Sequence, residues 1–375
     1  MKARPDALAQ IINSQWPDIC DSYNAYQIRI LNAIRRCRTP ELGGSLYKCD
    51  HCGAEHFTFH SCRNRHCPQC QNTQQQKWIA LQEAKLIHTK YFHVVFTIPQ
   101  QLNDLFLAYQ RQLYKALFDA AWQTLNDFGW NHKYLGAQLG ATLVLHTWGA
   151  NLSYHPHIHC IVPGGGVTLK GKWRNVKGGG KFLFPIKALS KVYKAKLISS
   201  ITQFIKQQGM QLDKHFLDQL KRKPWVVYAK PASDSISVIK YLARYASKIA
   251  ISHHRIIHFN QQEVSFYYTD YRHKNQKKIM VLSTHEFIRR FSLHFLPKGF
   301  CKIRHYGILS AAWKKKVFPN VEICVKTTQQ IWSELGLDIS KCNSCKIGNL
   351  TFIQDIKPSR GPPIQSEIHH NTNSF

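Results

Sequence analysis

HTWGANLSYHPHIHCIVPGGG, residues 146–166, is the stretch on which the fold turns. Its centre is His157-Ile158-His159, followed by the apolar run Cys160-Ile161-Val162. Side chains alternate between faces along an extended strand. The spacing therefore predicts a strand with both imidazoles on one face and Ile158 and Cys160 turned into a core. Two imidazoles on one strand face make half of a metal site, and a metal there can act on phosphate oxygens. A lone His-x-His also fits the solvated face of an edge strand, and the rest of the chain decides between the two.

The chain has 375 residues, enough for two or three units, and 44% of them are hydrophobic, enough for a sizeable core. Its 51 Lys and Arg stand against 21 Asp and Glu, a net charge of +30. That excess predicts attraction to a polyanion, with nucleic acid first and an anionic membrane surface second. The membrane reading loses ground because runs such as Val94-Val95-Phe96-Thr97-Ile98 suit a buried strand and are too short to span a bilayer. The opening MKARPDALAQIINSQWPD lacks the apolar segment of a signal peptide. Twelve cysteines in an intracellular chain read as thiols and metal ligands, not disulfides.

Upstream of the histidines, residues 6–38 carry two apolar stripes, Ala7, Leu8, Ile11, Ile12 and then Ile28, Leu31, Ile34, which predict two helices. Cys49, Cys52, Cys67 and Cys70 follow in the pattern C-x2-C-x14-C-x2-C, close to the spacing of a four-cysteine zinc site. Gly53 and Pro68 supply turns beside the two pairs. Cys62, His60 and His66 are left over as possible substitutes or ligands of a second ion. Arg63 and Arg65, between the ligands, are candidate DNA contacts. Residues 73–89 read as a helix, Tyr91–Ile98 as a buried strand, and 101–128 as a long helix with a core-facing stripe.

Ala141–Trp148 reads as a strand preceding the one with the histidines, and Gly164-Gly165-Gly166 as a tight turn or a close backbone approach. KGKWRNVKGGGK, residues 170–181, is a basic loop able to track a phosphate backbone, or a mobile hairpin. Helical character returns over 186–220, and Trp225–Ala229 reads as a strand. SISVIKYLARYASKIAI, residues 235–251, predicts a helix on which Tyr241 and Tyr245 project side by side next to a row of Lys240, Arg244 and Lys248. Such a pair is a candidate nucleophile pair flanked by phosphate clamps. Short strands at 255–259, 263–269 and 278–282 and a helix at 285–295 follow. Cys342-Asn343-Ser344-Cys345 is half of a ligand set without evident partners, and the tail from about Lys357 reads as disordered.

The order of these blocks resembles the two-tyrosine, rolling-circle transposases of bacterial insertion sequences, within the HUH endonuclease superfamily. It rests on SCRNRHCPQCQ (61–71), HVVFTIP (93–99), LHTWGANLSYHPHIHCIVPGGG (145–166), YLARYASKIAIS (241–252) and FIRRFSLHFLPKGFCKIRHYGILS (287–310), across roughly residues 5–315. The resemblance implies that His157 and His159 hold a divalent ion, Mg²⁺ or Mn²⁺, and that Tyr241 and Tyr245 are the nucleophiles. A third histidine is expected from the adjoining strand. His146 is preferred to His155, because Pro156 marks the bend into the strand. The expected zinc role is structural. The resemblance implies DNA as the partner, as single-stranded element ends and target, in the bacterial cytoplasm at the nucleoid.

The expected fold class is α+β: an antiparallel-sheet HUH endonuclease domain preceded by a small helical zinc-knuckle module. The expected division is 1–75 for the zinc module, 76–300 for the nuclease, 301–356 for a C-terminal extension and 357–375 for a tail. Two rivals stand beside the transposase reading. One is a plasmid replication initiator or relaxase; the other is a zinc-dependent DNA-binding regulator without catalysis, which leaves the histidine and tyrosine pairs unused.

Overall fold

The computed structural model describes residues 6–71, 87, 89–231, 250–270, 273, 275–313, 338 and 340–359. Tyr241, Tyr245, Lys240, Arg244 and Lys248 lie outside the described residues, as do most of the expected 73–89 helix and the tail beyond 359.

The N-terminal segment forms three helices where two were expected: α1 (Ala7–Ser14), α2 (Trp16–Ser22) and α3 (Ala25–Arg35). Pro17 has no N–H to offer the Asn13 carbonyl, so α1 stops and Pro17 sits in the first turn of α2. A capping box between Asn24 and Gln27 then starts α3. The long helix at 101–128 is likewise divided at Tyr109 into α4 (Asn103–Ala108) and α5 (Gln110–Trp130).

The histidine stretch sits in a five-stranded sheet, ordered β12-β4-β5-β3-β8, in which every pairing is antiparallel. Its strands are β3 (Tyr91–Thr97), β4 (Gly140–Trp148), β5 (Tyr154–Pro163), β8 (Val227–Pro231) and β12 (Ile303–Gly307). One face is the main core. Phe92, Val94, Phe96, Leu143, Leu145, Ile158, Cys160 and Val162 pack there with α5 and α6 (Ile186–Gln207). Ile158 and Cys160 are fully buried, so slipping β5 by one residue would exchange them for histidines. Burying each large apolar side chain stabilises by about 1.5–3 kcal/mol, which fixes the alternation.

Between β5 and α6, β6 (Gly165–Val167) and β7 (Trp173–Asn175) form a hairpin. The triple glycine is not a tight turn: Gly165 and Gly166 are strand residues without positive φ. They permit close approach, since a Cβ on Gly166 would lie 2.4 Å from the Gln138 carbonyl oxygen. α7 (Lys214–Arg222) leads into β8.

A second core joins α1 and α3 to a three-stranded sheet of β9 (Ile256–Phe259), β10 (Glu263–Asp270) and β11 (Gln276–Ser283), and to α8 (Thr284–Ser292). Leu152, from the β4–β5 loop, is buried in it. A third sheet joins distant parts of the chain: β1 (Gly44–Cys49) pairs on one side with β2 (Glu55–Phe59) and on the other with β13 (Leu350–Ile356). The expected C-terminal extension thus completes the N-terminal module. No helix among the described residues is long and apolar enough to cross a membrane.

Candidate active site and metal centres

The face of the large sheet opposite the main core gathers imidazoles from three adjacent strands. His146 on β4 stands directly across from His157 on β5, and His159 lies across from Val144 and Val95. The ring nitrogens of His146, His157 and His159 that could serve as ligands all lie within 4.8 Å of one another. The Nε2 atoms of His157 and His159 are 3.0 Å apart, about the separation of neighbouring donors at ~2.1 Å from one cation.

Hydrogen bonds around these rings set their tautomers. His157 Nδ1–H donates to the His155 carbonyl at 2.6 Å, which leaves its Nε2 lone pair facing the site. His159 Nδ1 lies 2.8 Å from Nε2 of His93 on β3, with the two rings stacked 8° from parallel. Burial pushes the His157 pKa down to about 3 and that of His93 to about 4, so both rings are neutral at physiological pH. The converging ring nitrogens of His146, His157 and His159, with hydrogen-bond partners behind His157 and His159, fit a divalent cation. His155 is not in the converging set; its contribution is the backbone carbonyl.

Neighbouring residues hold the β4–β5 hairpin in place. Trp148 stacks on His146 with centroids 4.4 Å apart. Behind it, His294 Nε2–H donates to the Leu152 carbonyl at 3.2 Å, and its Nδ1 is 3.3 Å from the Thr147 hydroxyl. Arg255 donates to three carbonyls, those of Tyr267 at 2.8 Å, Ala250 at 3.1 Å and Ala150. Ala250 is the first described residue after the tyrosine-bearing segment. One guanidinium therefore ties Ala250 to the loop of the histidine hairpin. None of the sequence patterns singled out His93 or Arg255. The only signal for His93 was being the one histidine within the apolar β3 sequence YFHVVFT.

The cysteines require a correction. Cys49, Cys52, Cys67 and Cys70 do not converge on one point; each pair belongs to a different set. Cys67 and Cys70 meet Cys37, at the end of α3, and Cys62, which follows β2. The Cys37–Cys70 and Cys62–Cys70 sulfur separations are both 3.6 Å. Tetrahedral ligation at a Zn–S distance of about 2.3 Å spaces sulfurs by about 3.8 Å, whereas a disulfide brings them to about 2.05 Å. Cys49 and Cys52 instead meet Cys342 and Cys345. The physical reason is the β1–β2 hairpin, whose strands carry its cysteine turn away from Cys62 and everything after it. Cys37 had no spacing signal, being 25 residues from its nearest partner.

Arg65 also departs from expectation. Its guanidinium is turned inward onto the carbonyls of Phe300 at 2.6 Å and Pro297 at 3.4 Å, so it braces the fold and does not project towards DNA. Arg63 is exposed.

Comparison with known proteins now decides the family. A protein of Sinorhizobium fredii named "Putative transposase y4qJ" is 36% identical over 372 residues, covering 91% of this chain and 92% of that one. The chain belongs to the two-tyrosine, rolling-circle insertion-sequence transposases. Residues 140–316 of the transposase match the family described as "Putative transposase", and residues 11–98 match the "Transposase zinc-binding domain". The transposase for insertion sequence element IS801 of Pseudomonas savastanoi pv. phaseolicola is 27% identical, over 80% of this chain and 74% of that one. Among solved structures, the conjugative relaxase TrwC in complex with oriT DNA overlaps 41% of the transposase and 71% of its own chain. The identity is 13% and the TM-score 0.24, too slight to carry over any residue. The protein is thus a transposition enzyme of the nicking and strand-transfer class with a zinc-binding domain, and neither rival reading is favoured.

Proposed function

We propose that His146, His157 and His159 hold Mg²⁺ or Mn²⁺ at the scissile phosphate of a single-stranded insertion-sequence end, and that Tyr241 and Tyr245 attack there. The convergence of three imidazoles from two paired strands carries this reading. A bound ion supplies Lewis-acid stabilisation of charge on the phosphate oxygens. Within the chain, the His155 carbonyl and His93 hold the two β5 imidazoles in orientation, and Arg255 holds the Ala250 carbonyl to the loop of the histidine hairpin. A tyrosinate oxygen forms a bond to phosphorus while the bond to the 3′-oxygen breaks. The 5′ side is then linked to the protein, and the 3′-oxygen takes up a proton. Attack by a 3′-hydroxyl reverses the step, so strand joining needs no nucleotide cofactor. Lys240, Arg244 and Lys248 favour the ionised tyrosine and hold phosphate.

Further along the strand path, the DNA follows a stretch of chain without carboxylates. No Asp or Glu occurs between Asp127 and Asp213, a span that includes the β6–β7 hairpin with Lys170, Lys172 and Arg174. Arg63 adds a cation at the zinc module. Cys37, Cys62, Cys67 and Cys70 hold the zinc of the matched domain. The working division is a zinc module built from both ends of the chain and a nuclease between them, acting on the nucleoid in the cytoplasm.

The test is incubation with an end-derived single-stranded oligonucleotide and Mn²⁺, scored for an SDS-resistant adduct. Wild-type protein gives one, and His157→Ala/His159→Ala gives none. An adduct that survives in Tyr241→Phe/Tyr245→Phe would overturn the assignment.

A further inference from the structure

We infer that Cys49, Cys52, Cys342 and Cys345 bind a second structural zinc ion that clamps the C-terminal strand to the N-terminal hairpin. Cys342 and Cys345 lie outside both matched regions, 11–98 and 140–316. The inference is independent of the nuclease chemistry.

Sulfur geometry comes first. Cys49 and Cys345 are 3.7 Å apart, Cys52 and Cys342 are 3.7 Å apart, and all four sulfurs lie within 4.8 Å of one another. These spacings agree with the ~3.8 Å expected for sulfurs around one tetrahedral zinc and are far beyond a disulfide bond of about 2.05 Å.

The two halves are also built alike. Gly53 N–H donates to the Cys49 carbonyl at 3.1 Å, and Lys346 N–H donates to the Cys342 carbonyl at 2.9 Å. Both turn residues have positive φ, +71° for Gly53 and +63° for Lys346. Lys346 thus takes the left-handed position that glycine fills in the first knuckle, which is why Cys342-Asn343-Ser344-Cys345 lacks the glycine signature in sequence. Backbone N–H groups point at the sulfurs in both halves. His51 and Cys52 donate to Cys49 Sγ at 3.4 Å, Ser344 to Cys342 Sγ at 3.4 Å, and Gly348 to Cys345 Sγ at 3.3 Å. Such donors favour thiolates, the form that binds metal. His56 Nε2 adds a contact to Cys342 Sγ at 3.2 Å.

The halves are locked together outside the sulfurs too. Asn349 N–H donates to Asp50 Oδ1 at 2.7 Å, and Asp50 N–H donates to the Asn349 carbonyl at 3.1 Å. A Cβ on Gly348 would fall 2.4 Å from Cys49 Sγ, so glycine is required for the knuckles to meet. From there β13 runs antiparallel along β1, from Cys49↔Leu350 to Gly44↔Ile356. A zinc at this point closes a loop over most of the 375-residue chain, joining residues 296 apart. Neither knuckle can complete its site before the C-terminal segment exists.

The test uses full-length protein. Zinc per chain is measured in wild type and in Cys342→Ser/Cys345→Ser, and both are titrated with Co²⁺ after zinc removal to read thiolate-to-cobalt charge transfer. The proposal expects wild-type charge transfer equal to two four-sulfur sites, and the variant to lose one zinc and half of that intensity. Imidazole-bound metal at the histidine face does not contribute to this signal. Wild-type intensity equal to a single four-sulfur site overturns the proposal, whether or not the variant folds. So does a folded variant with unchanged zinc content.

Discussion

His159 Nδ1 lies 2.8 Å from Nε2 of His93, so one of the three converging imidazoles is held by a fourth from the next strand. His93 is a positioning residue. His93→Ala is expected to weaken Mn²⁺ binding by about 10–100-fold while leaving the fold intact. Isothermal titration with Mn²⁺ reads this directly. Saturating Mn²⁺ should restore most adduct formation, and His93→Gln, which can still hydrogen-bond, should lie between wild type and alanine.

His146 and His155 separate cleanly. His146→Ala removes a ring of the converging set and should abolish adduct formation. His155→Ala keeps the carbonyl that fixes His157 and should cost no more than a few-fold. Side-by-side cleavage assays at saturating Mn²⁺ check the order; the reverse order would sink the three-histidine assignment.

Arg255 links the carbonyls of Ala150, Ala250 and Tyr267. Arg255→Met leaves these carbonyls without their charged donor and should destabilise the protein by about 1–3 kcal/mol in a denaturant titration. Adduct formation should slow while Mn²⁺ affinity stays unchanged, because the histidines keep their own supports.

The β6–β7 hairpin presents Leu169, 89% exposed, just before Lys170 and Lys172 at a tip held to the body by Arg174, which donates to the Leu135 carbonyl at 3.3 Å and to the Gly136 carbonyl at 3.2 Å. Lys170→Ala/Lys172→Ala should weaken DNA binding equally across sequences and lower the salt dependence by roughly 2 in log–log slope. Fluorescence anisotropy at several salt concentrations measures both.

Glu286 carries a pH signature. Hydrogen bonds from Arg289, then Arg290, hold its carboxyl down to about 2 from an ordinary value of 4.5. The folded value lies below the unfolded one, so its stabilising effect is complete above about pH 4.5 and disappears as pH falls towards 2. Glu286→Gln should lower stability at neutral pH and flatten the curve between about pH 4.5 and 2, as followed by circular dichroism.

Local pattern alone carried much of this protein. Period-two alternation in His157-Ile158-His159-Cys160 placed two imidazoles opposite a core, because burial of Ile158 and Cys160 decides which face is which. Pro17 and Tyr109 broke helices that the apolar stripes ran straight through, since a stripe reports a buried face and not an unbroken backbone. Each Cys-x2-Cys pair was legible as a knuckle, because a tight turn brings two sulfurs together whatever lies elsewhere. Which knuckle meets which was a tertiary matter. Antiparallel closure of β13 on β1 brought Cys342 and Cys345 to Cys49 and Cys52, and the end of α3 brought Cys37 to the other pair. Strand register, not spacing, set His146 opposite His157 and put His93 against His159. Ligand sets assembled from distant segments depend on how sheets pair, and that pairing is decided by the packing of the whole chain.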